Sequence, residues 1–232
     1  MTAVVSFKSA TDAYLASDTA HLNIDGTISH FAPKVFAMAQ QNLVFATQGF
    51  SRASEVILQY LEFDHGTARQ ARWLEALPAA LLRARECIRS HHPEREGSVL
   101  NEIHVWLALF CEREKRPKLL TMTTSRMDYL PDLPPYQLAE HEGLVAPAVD
   151  VSALLPADWR GTPEEAASTV LEAQRRGTAP WGAHVHIVGG EGHLWGVSEH
   201  GLESAIVIKW PEKAGQRCDP SLQGRPQMRA AA

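Results

Sequence analysis

Threonine at position 2 is the residue whose chemistry says most about this sequence. A small second residue permits removal of the initiator Met1, and the mature chain would then begin with Thr2. An N-terminal threonine carries a hydroxyl nucleophile and a free α-amine on one residue. The amine, with an ordinary pKa of about 7.7–8.0, can act as a base near neutral pH. Thr2 is therefore a candidate nucleophile for acyl transfer.

Two charged residues are predicted to lie beside Thr2. Residues 3–7 have the pattern of a buried strand and residues 13–17 that of its hairpin partner, so Asp18 returns towards the start of the first strand. Lys34 begins the next hairpin. A lysine ammonium near the nucleophile would lower the amine pKa and favour the alkoxide, and a carboxylate would keep that lysine charged and aimed. Taken singly, Asp18 is also typical of a turn and Lys34 of a solvated surface.

The remaining pattern separates strands and helices into blocks. Hairpin strands are predicted at 34–39 and 43–47, helices at 51–63 and 68–90, strands at 101–111 and 118–123, a helix from Thr162 to about Arg176, and strands at 183–188, 193–198 and 204–210. Pro78 suggests a kink or a fresh start in the second helix, and Gly189–Gly192 suggests a hairpin turn. Segregated blocks favour an α+β fold. We expect one domain over residues 1–212 and a loosely ordered tail over 213–232.

Composition and charge exclude several classes of protein. The chain has 232 residues and a formal net charge of −5, which argues against a general nucleic-acid binder. Its apolar run at 105–111 is far too short to span a membrane, and the first residues do not resemble a signal peptide. Three widely spaced cysteines form neither a disulfide framework nor a zinc motif, which suits a reducing compartment. These features predict a cytoplasmic protein that binds neither membranes nor nucleic acid.

The histidines, glycines and arginines could indicate other kinds of functional site. His184 and His186 share one face of a predicted strand, with His193 and His200 nearby in sequence, and alternate histidines can ligate one metal ion. No cysteine or matched carboxylate completes the set, so we predict neither a metal nor another cofactor. The glycines of 189–192 precede no helix and therefore do not form a phosphate loop. Arginines on the second helix alternate with glutamates, a pattern typical of a solvated face or a subunit contact.

The first 63 residues resemble the proteasome β-subunit family and its bacterial two-ring relative, the HslV-type protease, both N-terminal-nucleophile hydrolases. The stretches that carry the resemblance are Thr2–Ser6, Leu15–Asp18, Pro33–Val35 and Leu43–Gly49. The resemblance implies a four-layer αββα sandwich, with two antiparallel sheets flanked by helices. It also implies that Thr2, Asp18 and Lys34 are catalytic and that the Gly49 N–H contributes to an oxyanion hole.

The resemblance further implies a threonine-type endopeptidase subunit of a self-compartmentalising homo-oligomer. Its substrates would be peptides or unfolded proteins, and an ATPase could serve as its partner. The family usually has a Gly-Ser-Gly-like element before its third helix, whereas residues 143–148 of this chain contain no serine. Two alternatives therefore stay open: a catalytically weak or silent assembly or binding protein, and a small-amide hydrolase with the same fold.

Overall fold

The computed structural model describes residues 2–23, 25–50, 52–65, 69–93, 102–126, 131–177, 186–222 and 224–226. The helices are α1 (Ala53–His65), α2 (Gln70–His91), α3 (Val151–Leu154) and α4 (Pro163–Arg176). The strands are β1 (Val4–Lys8), β2 (Ala13–Asp18), β3 (Ala20–Leu22), β4 (Ile28–Phe31), β5 (Val35–Met38), β6 (Leu43–Gln48), β7 (His104–Cys111), β8 (Arg116–Thr123), β9 (Ala139–His141), β10 (Gly143–Ala146), β11 (Glu191–Ser198), β12 (Gly201–Lys209) and β13 (Arg225–Pro226).

Two larger antiparallel sheets organise these strands. The first has the order β10-β1-β2-β11-β12-β13, and the second has the order β5-β6-β7-β8-β9. The short strands β3 and β4 pair with each other. The predicted α+β class is therefore confirmed, as are the two N-terminal hairpins, whose registers pair Val4 with Ser17 and Val35 with Ala46.

Alternation along the strands sends side chains into separate apolar clusters. On β6, Leu43 and Phe45 pack with α1 and α2, whereas Val44 and Ala46 face a cluster that also contains Leu15 of the first sheet. A further cluster joins the first sheet to α4. The sheets are consequently covered by apolar side chains on both faces, which explains why several strands have nearly continuous apolar sequences.

The predicted helices are present with small differences at their ends. Thr162 caps α4: its side chain accepts a hydrogen bond from the Glu165 N–H, while Glu165 accepts one from the Thr162 N–H. The second helix does not restart at Pro78, because α2 is a single helix from Gln70 to His91. Burial of Leu77 and Leu81 against the core stabilises the helix around the proline.

The predicted hairpin turn at Gly189–Gly192 is wrong. Glu191 and Gly192 belong to β11, which pairs with β12 from Glu191–Lys209 to Ser198–Gly201. Described residues 186–190 are not part of a strand, and the predicted positions 183–185 lie outside the described residues. The peptide groups at Gly189 and Gly190 instead bond to Asp18, Ala20 and Trp210.

The segment after β12 runs back along the first half of the chain. Ile28 donates to the Gln216 carbonyl at 2.7 Å, Gly215 donates to the Ile28 carbonyl at 2.7 Å, and Cys218 is buried. The domain boundary at residue 212 stays a prediction. The described residues beyond it contact β4 and α4, and residues 227–232 lie outside the described part of the chain.

Candidate active site

Asp18 is the centre of a buried polar cluster at the end of β2. Its Oδ1 accepts a hydrogen bond from Lys34 Nζ at 2.8 Å and another from the Ala3 N–H at 3.2 Å. Its Oδ2 accepts from the Ala20 N–H at 3.2 Å and the Gly189 N–H at 3.3 Å. The Asp18 side chain is completely buried and that of Lys34 is 4% exposed. A buried charge of this kind is tolerable because a counter-charge and backbone donors surround it.

The hairpin geometry places Asp18 beside the residue that follows Thr2. Because β1 and β2 pair with Val4 opposite Ser17, Ala3 lies next to Asp18, and its N–H donates to Asp18 Oδ1. Thr2 itself is 7% exposed, and its carbonyl accepts a hydrogen bond from Gln48 Nε2 at 3.2 Å. The structure thus brings the predicted residues Thr2, Asp18 and Lys34 into one region.

Gly49 lies directly after β6 in a conformation that only glycine adopts readily, with φ = +111°. A Cβ at this position would lie 1.9 Å from the Glu102 carbonyl oxygen. Close backbone approach and a positive φ therefore both require glycine here. Gly49 lines the same cavity as Thr2 and Lys34, and the family resemblance implies an oxyanion donor at this residue.

The cavity that these residues share has a volume of about 460 Å³, within the range typical of small-molecule and substrate sites. One part of its wall is a stacked pair of imidazoles, His21 and His30, whose ring centroids are 4.5 Å apart. Burial, with the charges of Lys34 and His30, lowers the pKa of His21 to about 4. His21 is therefore neutral at pH 7, and Lys34 supplies positive charge to this wall.

His21 and His30 were not among the residues selected from the sequence. They lie on β3 and β4, the next two strands after Asp18. Their position shortly after a candidate catalytic residue is the feature of the sequence that could have indicated them. A third polar pair joins Thr47 on β6 to Ser54 in the first turn of α1, with the hydroxyl oxygens 2.6 Å apart. Both also line the cavity.

The described histidines considered for a metal site contact groups other than one another: His200, for example, lies 3.7 Å from Glu199. His193 contacts Glu191, His186 contacts the Gly177 carbonyl, and His184 lies outside the described residues. Within the described ranges, no group of three His, Cys, Asp or Glu side chains could hold a metal ion. Among the same residues, no helix is long and apolar enough to cross a membrane.

Comparison with known proteins bears on the fold. No protein-family model matches the chain, and no curated protein matches it at a significant level. Among solved structures, it is similar to the Gly-1 mutant of Anbu from Hyphomicrobium sp. strain MC1, with a TM-score of 0.58 and 13% identity. That similarity covers 89% of this chain and 88% of the Anbu chain. The chain therefore shares its overall fold with that Anbu structure. At this identity, the comparison speaks to the fold alone.

Proposed function

We propose that the chain is a threonine-type N-terminal-nucleophile hydrolase that cleaves amide bonds after Met1 has been removed. The observation that carries the proposal is the double role of Asp18 Oδ1. It accepts hydrogen bonds from both Lys34 Nζ and the N–H of Ala3, so it fixes a cation next to the residue that follows Thr2. This arrangement suits activation of a nucleophile that belongs to the first residue of the mature chain.

The proposed reaction is acyl transfer. Thr2 Oγ attacks the substrate carbonyl while the Thr2 α-amine takes the hydroxyl proton, directly or through a water molecule. Lys34 stabilises the developing negative charge, and the Gly49 N–H donates to the tetrahedral oxyanion, a contribution of about 2.7–4 kcal/mol per donor in other hydrolases. The C–N bond of the substrate then breaks, and the substrate amine leaves with the proton held by the Thr2 α-amine. Water hydrolyses the Thr2 ester and restores the enzyme.

The finer architecture and the assembly are part of this proposal. Apolar clusters between α1–α2 and the second sheet, between the two sheets, and between the first sheet and α4 support a four-layer αββα order. We infer a cytoplasmic homo-oligomer, in which the outer faces of α1 and α2 contribute subunit contacts, that acts as an endopeptidase on peptides or unfolded proteins. An ATPase would be the natural partner of a closed ring. Mass photometry of the purified protein measures the predicted oligomer directly.

Intact-mass analysis before and after treatment with a threonine-directed epoxyketone or β-lactone tests the nucleophile. We expect the untreated mass to lack Met1 and the treated mass to increase by one probe. Thr2→Ala keeps a small second residue, and therefore Met1 removal, but loses the hydroxyl; it should not be labelled. Thr11→Ala, at an exposed turn, is the matched control and should be labelled like the parent.

Other outcomes of this experiment would favour other functions. Retention of Met1 together with an unlabelled parent would support a silent assembly or binding protein. Equal labelling of Thr2→Ala and the parent would place the nucleophile elsewhere. Labelling by the small β-lactone without cleavage of any peptide would favour a small-amide hydrolase.

A further inference from the structure

Arg175 near the end of α4 is a buried cation outside the residues discussed so far. Its side chain is completely buried, and the side chain of its ion-pair partner Glu212 is 1% exposed. The guanidinium also donates to the Asp219 carbonyl at 2.5 Å and lies 5.2 Å from the centre of the Trp210 ring. Arg175 thus joins α4 to the segment after β12.

Another hydrogen bond of Arg175 leads towards the candidate active site. Its Nη1 donates to the Val188 carbonyl at 2.6 Å. That carbonyl and the Gly189 N–H belong to one planar peptide group, in which they point in opposite directions. The Gly189 N–H donates to Asp18 Oδ2 at 3.3 Å. One peptide group therefore lies between the Arg175 guanidinium and the Asp18 carboxylate.

We propose that Arg175 is a positioning residue that, through the Val188–Gly189 peptide, holds Asp18 in place to orient Lys34. This inference rests on the proposed function for its catalytic consequence. A cation at the carbonyl polarises the peptide and strengthens its N–H as a donor to a carboxylate. Glu212 and the carbonyl of Asp219 hold the guanidinium in place. The segment after β12 therefore contributes to the position of Asp18 through Arg175.

Packing around Gly189 leaves little freedom for this peptide to move. A Cβ on Gly189 would lie 2.9 Å from Cys218 Sγ and 3.4 Å from the Ala20 Cβ. Burial, with the charges of Asp18 and Glu212, raises the pKa of Cys218 to about 12, so its thiol is neutral. Cys218 therefore packs against the peptide without adding charge.

A purely structural role and a positioning role predict different results when both charges of the Arg175–Glu212 pair are removed. A buried ion pair can often be replaced by apolar residues of similar volume without loss of stability, whereas removal of one partner is strongly destabilising. The double variant Arg175→Met with Glu212→Leu removes both charges together. If the pair serves only stability, the double variant should be as stable and as active as the parent. If Arg175 positions Asp18, the double variant should be stable but less active.

The test combines this double variant with a single spectroscopic signal. Val188–Gly189 is the only Val-Gly step in the sequence, so a sample with ¹³C-carbonyl valine and ¹⁵N-glycine has one HNCO cross-peak, which reports both ends of this peptide. Arg176→Met, an exposed neighbour on α4, is the matched control. Arg175→Lys, which keeps the charge, should give an intermediate spectrum.

We expect the double variant to unfold near the parental temperature, its cross-peak to move upfield in the carbonyl and amide-proton dimensions, and its labelling by the epoxyketone to slow by about tenfold or more. An unchanged cross-peak, or labelling at the parental rate, would overturn the proposal.

If the parent is not labelled, the proposed function fails. The cross-peak then still decides whether Arg175 holds the peptide on Asp18. If the double variant does not fold, Arg175→Lys decides between the same outcomes.

Discussion

Asp18 and Lys34 form a 2.8 Å ion pair in which both side chains are almost completely removed from solvent. The two partners are not equivalent. Asp18 also accepts from three backbone N–H groups, those of Ala3, Ala20 and Gly189. The carboxylate therefore organises three separate parts of the chain around the cavity, whereas Lys34 is the group that presents charge to it.

This asymmetry predicts different costs for removing each partner. Asp18→Ala leaves a buried ammonium and three N–H groups without their acceptor, so we expect a loss of about 3–5 kcal/mol in the free energy of unfolding. Lys34→Met leaves a carboxylate that retains its backbone donors, and should cost less, roughly 2–3 kcal/mol. Urea denaturation measures both values. Lys209→Met, which breaks an ion pair between partly exposed side chains, should change stability by less than about 1 kcal/mol. Equal costs for Asp18→Ala and Lys34→Met would contradict the asymmetry.

Gly49 and Gly201 provide a matched pair for testing the tight backbone at the cavity. Both have a positive φ, +111° and +117°. Nothing lies within 4 Å of a Cβ built on Gly201, whereas the Glu102 carbonyl blocks one on Gly49. Gly201→Ala should cost only the backbone strain, about 1–3 kcal/mol, and Gly49→Ala more than that.

The variants Gly49→Ala and Gly201→Ala also distinguish an effect on stability from an effect on activity. Labelling by the epoxyketone should fall in Gly49→Ala, because the N–H predicted to donate to the oxyanion is displaced. It should be unchanged in Gly201→Ala, which lies at a distant hairpin turn. Normal labelling of a folded Gly49→Ala protein would argue against the oxyanion role of Gly49.

We expect the protein to lose stability in mild acid, because His104 is buried and His141 is partly buried. Burial lowers the pKa of His104 to about 3 and that of His141 to about 4. An unfolded histidine has a pKa of about 6.5. Between these values the unfolded chain binds protons that the folded chain does not, so stability falls as the pH decreases from about 6.5 towards 4. The upper limit is about 1.4 kcal/mol per pH unit for each fully buried histidine.

Urea denaturation at about pH 7.5 and about pH 5 tests this dependence. His141→Leu should reduce the stability difference between the two pH values, because it removes a side chain that the unfolded chain protonates and the folded chain does not. His200, which is 87% exposed, is the control, and His200→Leu should leave the difference unchanged. Identical differences in all three proteins would exclude His141 as a cause.

Pro78 predicts a stabilising substitution. Proline inside a helix lacks an N–H donor and crowds the preceding turn, yet α2 continues on both sides of it. Pro78→Ala should therefore raise the free energy of unfolding by about 1–2 kcal/mol, less than the full helix penalty because proline also restricts the unfolded chain. Thermal unfolding followed by circular dichroism measures the change. Ala79→Pro, at the next and exposed position, should lower the unfolding temperature; a lower temperature for Pro78→Ala would contradict this account.

Local sequence determined much of the fold. The first hairpin has alternating buried residues and a short turn, so its register follows from neighbouring residues, and that register brings Asp18 to Ala3. Thr162, Pro163 and Glu165 determine the start of α4 for the same reason, since a capping box requires residues three apart. The α+β class and the position of Asp18 beside the start of β1 could be predicted on this basis, whereas Lys34 precedes β5 of the other sheet and no local pattern places it beside Asp18.

Only the tertiary structure decided how the candidate site is enclosed. Gly189 reaches Asp18 because β11 pairs with β2, an association between segments 171 residues apart. The periodic pattern around Gly189 instead resembled a hairpin turn. The complete burial of Arg175 depends on the later segment that contains Glu212. Such contacts leave no local signal, because they depend on the order of strands in the sheet and on the packing of α4 against it.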